Sequence, residues 1–126
     1  MTNHIVLLSL AANYEQKRNM AAARSRLAEL LEHLTFSPER WTKPLGTTRR
    51  CRYLNQLAQG TTCLDADTLQ QRLKELEQQM GRTDADRQEG LVRIDLDLLL
   101  FDTKRYHERD WERPYLRALL ETFKGS

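Results

Sequence analysis

Residues 93–101 read Arg93-Ile94-Asp95-Leu96-Asp97-Leu98-Leu99-Leu100-Phe101, RIDLDLLLF. The unbroken apolar run from Leu98 to Phe101 predicts a β-strand in the interior of a sheet. Side chains alternate along a strand, so Arg93, Asp95 and Asp97 are expected on one face. Two carboxylates spaced this way lie roughly 7 Å apart at Cα and repel unless a cation sits between them. Oxygen donors on a rigid strand suit Mg²⁺, which takes one or two carboxylates plus phosphate oxygens and keeps several waters. The alternative from spacing alone is a solvated strand face on which Arg93 neutralises the pair.

Immediately upstream, residues 82–90 (RTDADRQEG) contain no apolar side chain except Ala85. This reads as a flexible loop. In it Arg82 and Arg87 either reach phosphate oxygens and close over a nucleotide or decorate an ordinary surface. Before the loop, Leu69, Leu73, Leu76 and Met80 recur at helical spacing. Asp65 or Asp67 caps this helix, and Gly81 stops it. Glu77 falls one turn before the loop, on what spacing alone makes a solvated helix face.

Further upstream, Trp41, Thr42 and Tyr53 favour strand, while Pro38, Pro44 and Gly46 break helices. Two strands are expected, about 36–43 and 52–62, joined by a basic loop carrying Arg49 and Arg50. In the second, Cys51, Tyr53, Asn55 and Leu57 share a face. His4–Leu10 (HIVLLSL) predicts a buried strand. Asn13 then caps a helix whose stripe is Ala23, Leu27, Leu30, Leu31 and Leu34. After the 93–101 strand, Leu116, Leu119, Leu120 and Phe123 mark a last helix over 110–123, with Pro114 in its first turn.

The order β-α-β-β-α-β plus a helix predicts a ferredoxin-like α+β fold: an antiparallel sheet with helices on one face, and a C-terminal helix. A length of 126 residues fits one domain over 1–126. The 40% hydrophobic and 30% charged content is that of a soluble globular chain, and a net charge of +2 is too small to imply a nucleic-acid partner by itself. Cys51 and Cys63 are too few for a disulfide scaffold or zinc cluster, and two free buried thiols are expected. The apolar run Ile5–Leu10 is too short for a signal peptide or a membrane span, so a cytoplasmic protein without membrane attachment is expected. His4, His33 and His107 show no metal-ligand spacing, and neither a P-loop nor a nucleophile elbow occurs. Nothing in the sequence bears on oligomeric state.

Four segments in order resemble the 6-hydroxymethyl-7,8-dihydropterin pyrophosphokinases of folate biosynthesis. Thr42-Lys43-Pro44-Leu45-Gly46 is similar to the family's T-x-P-L-G, and Tyr53-Leu54-Asn55 to its [YF]-L-N. Glu77 through Gly81-Arg82 is similar to its E-x(3)-G-R. Asp95 to Phe101 is similar to its D-[IL]-D-[ILM]-x-L-[FY], the most specific of the four. The resemblance implies Mg²⁺-dependent transfer of pyrophosphate from ATP to the hydroxymethyl group of the pterin, with AMP as the other product. It implies that Asp95 and Asp97 hold two Mg²⁺ ions with bound ATP. Thr42, Leu45, Tyr53 and Asn55 would line the pterin pocket. Glu77, Arg82 and Arg87 would bind the nucleotide, with Arg82 and Arg93 acting on its phosphates. The implied partners are small molecules.

The chain also departs from the family. Ala11-Ala12-Asn13 stands where the family has Gly-Ser-Asn. Val92 takes the place of an arginine, so Arg93 is shifted by one residue and changes face on a strand. Glu89 replaces a tryptophan, and Asp84-Ala85 a basic pair. Pro114 is followed by Tyr115 and not histidine, leaving Tyr115 or Phe123 to replace the family's pterin-stacking aromatic. Two readings follow: a working divergent pyrophosphokinase, or a relative that keeps the fold and nucleotide–metal binding without catalysis. The fold also serves RNA, and Lys43, Arg49, Arg50 and Arg52 form a basic loop. RNA-reading sheets, however, stack bases on exposed aromatics, and Trp41 and Tyr53 form no such run.

Overall fold

A computed structural model of the protein describes residues 3–43, 52–81 and 83–124. Strand β1 (His4–Ala12) leads into helix α1 (Gln16–Leu30). Strands β2 (Glu32–Phe36), β3 (Arg40–Thr42) and β4 (Tyr53–Thr62) follow, then α2 (Ala66–Gln79) and a short α3 (Asp84–Gln88). β5 (Asp95–Phe101) and β6 (Lys104–Arg105) form a tight hairpin, a 3₁₀ turn spans Glu108–Glu112, and α4 (Pro114–Lys124) closes the described chain. The sheet runs β2-β4-β1-β5-β6, with β3 also paired to β4, and every pairing is antiparallel. This is the expected ferredoxin-like α+β arrangement.

β1 is the central strand, and its alternation sets the two faces. Val6, Leu8 and Leu10 meet Leu54 and Ala58 of β4, Leu96 and Leu98 of β5, and Met20, Leu27, Leu69 and Leu73 of the helices. Each fully buried leucine of this kind contributes roughly 1.5–3 kcal/mol. On the other face, Leu7, Leu57 and Leu99 pack beneath Leu116 and Leu119 of α4. The C-terminal helix therefore covers the half of that face nearest the start of β1. The half near its end, with Ser9 and Ala11, carries no such layer.

Several elements differ from the sequence reading. α1 ends at Leu30, and Leu31 and Leu34 belong to an extended entry and to β2. Pairing overrides the helical period there. Gly60 gives β2 room to close on β4, since a Cβ at that position would lie 3.1 Å from the Glu32 carbonyl. The strand expected over 36–43 is split in two. Pro38 has no N–H to continue the ladder, and Ser37 takes over: its N–H donates to the Leu57 carbonyl, and its Oγ accepts from the Leu57 N–H. β5 begins at Asp95, so Arg93 lies in the bend before it and does not share the face of the carboxylates. Residues 83–90 are also not a plain loop. Thr83 and Asp86 form a reciprocal capping box that starts α3. Cys63 is free but exposed, not buried, and Cys51 lies outside the described residues together with Arg49 and Arg50.

Asn13 does not cap α1, which starts from Glu15 in the left-handed region. Its side chain, 1% exposed, instead clamps the approach to β5. Nδ2 donates to the Gly90 carbonyl at 2.9 Å, and Oδ1 accepts from the Val92 N–H at 2.6 Å. Removing it leaves two polar backbone groups without their partner. Asn13→Ala is expected to cost about 1–3 kcal/mol in urea unfolding and to speed amide exchange at Val92. Unchanged exchange at Val92 would show that the clamp does not hold that segment.

Candidate active-site cleft

The uncovered part of the sheet forms the floor of a cleft of about 610 Å³. Register places Ala11 between Asn55 and Asp95, and Ser9 between Leu57 and Asp97. Two small side chains on the central strand thus lie between a polar amide on one neighbour and two carboxylates on the other. Asn55 is 5% exposed and spends its amide nitrogen on the wall. Nδ2 donates to Thr42 Oγ1 at 2.8 Å and to the Arg40 carbonyl at 3.0 Å, which holds β3 against β4. Thr42, Tyr53 and Asn55 therefore line one cleft with Asp95 and Asp97. Leu45 and Arg82 lie outside the described residues.

The remaining expected site residues sit differently. Glu77 is buried, not on a solvated helix face, and its Oε2 accepts from the Leu96 N–H at 2.8 Å. It ties α2 to the backbone between the two aspartates. Arg93 packs its guanidinium over the Tyr14 ring, 4.9 Å from the centroid, and its Nε donates to Asp86 Oδ2 at 3.0 Å. It neutralises Asp86, not the Asp95–Asp97 pair. Arg87 is exposed on α3 and lies 3.8 Å from Asp84, too long for a hydrogen bond.

Of the far wall, sequence reasoning offered Tyr115 only as an alternative to Phe123, and did not single out Asp110 or Arg113. The junction of the 3₁₀ turn and α4 brings Asp110, Arg113 and Tyr115 into the cleft, and Arg40, Trp41 and Lys43 also line it. Tyr115, not Phe123, is the aromatic placed here. Phe123 packs with the Leu7–Leu57–Leu99 cluster. Burial raises the Tyr115 phenol above its ordinary pKa, and Asp110 and Asp97 add to that while Arg113 opposes it. His107, in the left-handed region, brings Nε2 to 3.8 Å from Asp97 Oδ1. For Asp110 and Arg113 the only signal was Pro114 at a helix start. Two other concavities, of about 620 and 680 Å³, flank α4 and are lined by Ile5 and Phe123 without a carboxylate pair.

The donor set suits Mg²⁺. Asp95 and Asp97 supply hard oxygens on one strand face, and among the described residues no group of three or more His, Cys, Asp or Glu converges as a closed metal cage. An ion here would complete its shell with phosphate oxygens and water, as Mg²⁺ ordinarily does.

Fold and cleft together define a ferredoxin-like α+β protein with an oxygen-donor site on the sheet face away from α1 and α2. A family model for 7,8-dihydro-6-hydroxymethylpterin-pyrophosphokinase (HPPK) matches residues 7–124, and the chain belongs to that family. A mitochondrial folate synthesis bifunctional protein of Arabidopsis thaliana is 31% identical across 99% of this chain and 24% of its own length. The Pisum sativum protein of the same description is 31% identical across 96% of this chain and 25% of its own. The chain thus spans about a quarter of the length of these relatives.

The Asp86–Arg93 pair gives a pH dependence. The hydrogen bond from Arg93 holds the Asp86 carboxyl below the usual carboxylate range. A lowered folded value stabilises the protein above the unfolded carboxylate pKa of about 3.9, and that stability is lost as pH falls through the folded value. Arg93→Gln removes the cause. Its Tm should therefore fall less steeply than the wild type's between pH 5 and 2, as measured by circular dichroism. Parallel acid limbs would mean that the pair contributes nothing to folding.

Proposed function

We propose that this chain transfers a pyrophosphoryl group from ATP to 6-hydroxymethyl-7,8-dihydropterin in folate biosynthesis, with AMP as the second product. One observation carries the reading: Asp95 and Asp97 share a cleft with Thr42, Tyr53 and Asn55, so a phosphate-side and a pterin-side surface meet within one cavity. In this reading the hydroxymethyl oxygen attacks the β-phosphorus. The bond from that phosphorus to the oxygen bridging to the α-phosphorus breaks, AMP leaves with the electron pair, and the hydroxyl proton passes to water.

Asp95 and Asp97 would hold two Mg²⁺ ions with bound ATP. When bound, the metal screens phosphate charge and polarises the reacting group. Thr42, Leu45, Tyr53 and Asn55 orient the pterin, with the Asn55 amide keeping Thr42 in place. On the resemblance, Glu77, Arg82 and Arg87 belong to the nucleotide side and Arg82 and Arg93 to the phosphates, which requires Arg93 to leave Asp86 and Tyr14. Leu45 and Arg82 enter on resemblance alone. Catalysis here is positioning and charge neutralisation, as phosphoryl transfer generally requires. The reading takes 1–126 as one domain with small-molecule partners and no nucleic acid. It also includes a cytoplasmic location; among the described residues no helix is long and apolar enough to cross a membrane.

A second reading, nucleotide–metal binding without transfer, is favoured by Arg93, which lies on Asp86 and Tyr14 and not in the cleft. One assay separates the two. The purified chain is incubated with ATP, Mg²⁺ and the pterin, and AMP is measured by chromatography. Wild type is expected to form AMP, and the double variant Asp95→Asn/Asp97→Asn to lose at least about 100-fold in rate, since several kcal/mol of charge stabilisation are removed. No AMP, with Tm raised by Mg²⁺ and an ATP analogue, would select the second reading. Neither response would sink both.

A further inference from the structure

Resting on the pyrophosphoryl-transfer reading, we propose that Arg113 is the residue that grips the transferred diphosphate, and that Asp110 holds it ready at the cleft wall. Among the described residues, three cationic side chains line the cleft: Arg40, Lys43 and Arg113. Among the described residues, Arg93 is occupied by Asp86 and Arg87 lies outside the cleft lining. Arg113 lines the cleft together with Asp95 and Asp97.

Its environment suits an anion. Nε lies 3.2 Å from Asp110 Oδ1, and the side chain is 44% exposed. The ion pair is made through Nε, and the planar guanidinium fork has the geometry to meet two phosphate oxygens. Tyr115, two residues on, lines the same cleft as Arg113 and Asp97. Arg113 thus shares one cavity with the carboxylates expected to hold metal, on the wall and not on the floor. The backbone explains why it stays there. Arg113 is the residue just before Pro114, and its N–H donates to the Asp110 carbonyl at 3.1 Å. The 3₁₀ turn thus delivers Asp110 and Arg113 to the cleft as one unit. Arg40 and Lys43 line the same cavity, but among the described residues no ion pair fixes either of them. A diphosphate held at both ends, by metal at Asp95 and Asp97 and by a guanidinium at Arg113, cannot rotate away from the attacking hydroxyl.

The test uses inorganic pyrophosphate with Mg²⁺, titrated calorimetrically into the purified chain. Arg113→Gln is expected to weaken binding about tenfold or more, the scale of one charge-assisted contact. Arg113→Lys, which keeps the charge without the fork, should recover part of the loss. Asp110→Asn removes the carboxylate that positions Arg113 but also an anion that competes for it, so a loss clearly smaller than that of Arg113→Gln is expected. Equal losses in Arg113→Gln and Asp110→Asn would make the pair a structural brace and overturn the proposal. So would unchanged affinity in Arg113→Gln, or a wild type that does not bind pyrophosphate. The readout needs no pterin turnover. A chain that makes no AMP but shows the divergent pattern loses the reaction and keeps Arg113; a chain that makes AMP without that pattern does the reverse.

Discussion

The cleft depends on the two-residue period of the central strand. β1 is flanked on both sides, so each of its residues faces either the α1/α2 layer or the opposite face of the sheet. Val6, Leu8 and Leu10 fill the helix side without a gap. Leu7 anchors α4 on the other side, and there the bulk stops. Ser9 and Ala11 are too small to fill the space above them. Larger side chains at these two positions would close the floor between Asn55 and Asp95. The same alternation that packs the core therefore leaves the site open.

Charge on an interior strand needs compensation, and the fold supplies it through backbone and wall. Glu77 takes up the Leu96 N–H between the two aspartates, so the strand carrying them is tied to α2. Asn13 fixes residues 90–92 and with them the approach to Asp95. The asparagine is the one residue kept from the family's Gly-Ser-Asn, and its contacts give a structural reason for it: amide and backbone bonds meet a segment about 77 residues away. The lost glycine and serine lie on the strand itself, where Ala11 remains small enough for the floor.

The C-terminal helix does two jobs with one stretch of chain. Its apolar stripe buries Leu116 and Leu119 on Leu7, Leu57 and Leu99. Its first turn delivers Pro114 and Tyr115 to the cleft, with Arg113 just before it. A helix docked by its stripe has its start placed by the same contacts, so packing near one end of β1 determines which polar groups stand over the other. Arg93, by contrast, is drawn off by Asp86. Once β5 begins at Asp95, the bend before it turns that side chain toward Tyr14 and α3.

Much of this was legible in the chain. The period of Leu69 and Leu73, the Asp65 cap, Gly81 at φ 100° and the Asp95–Asp97 alternation are local signals, and local physics realises them. The capping box at Thr83 and Asp86 was equally local, but it was masked by a polar composition that reads as loop. What the sequence could not decide was long-range. Leu31 and Leu34 keep helical spacing yet lie in an extended segment, because β2 gains a ladder against β4 that the helix would forfeit. Arg93 sits two residues from Asp95 yet pairs with Asp86, because the strand boundary sets its direction. The wall of Asp110, Arg113 and Tyr115 meets Asp97 only after α4 docks. By itself the sequence determined the elements and the carboxylate pair, which depend on near neighbours along the chain. Tertiary structure alone decided what faces that pair, since it comes from segments that pay the entropy of meeting only when the whole sheet forms.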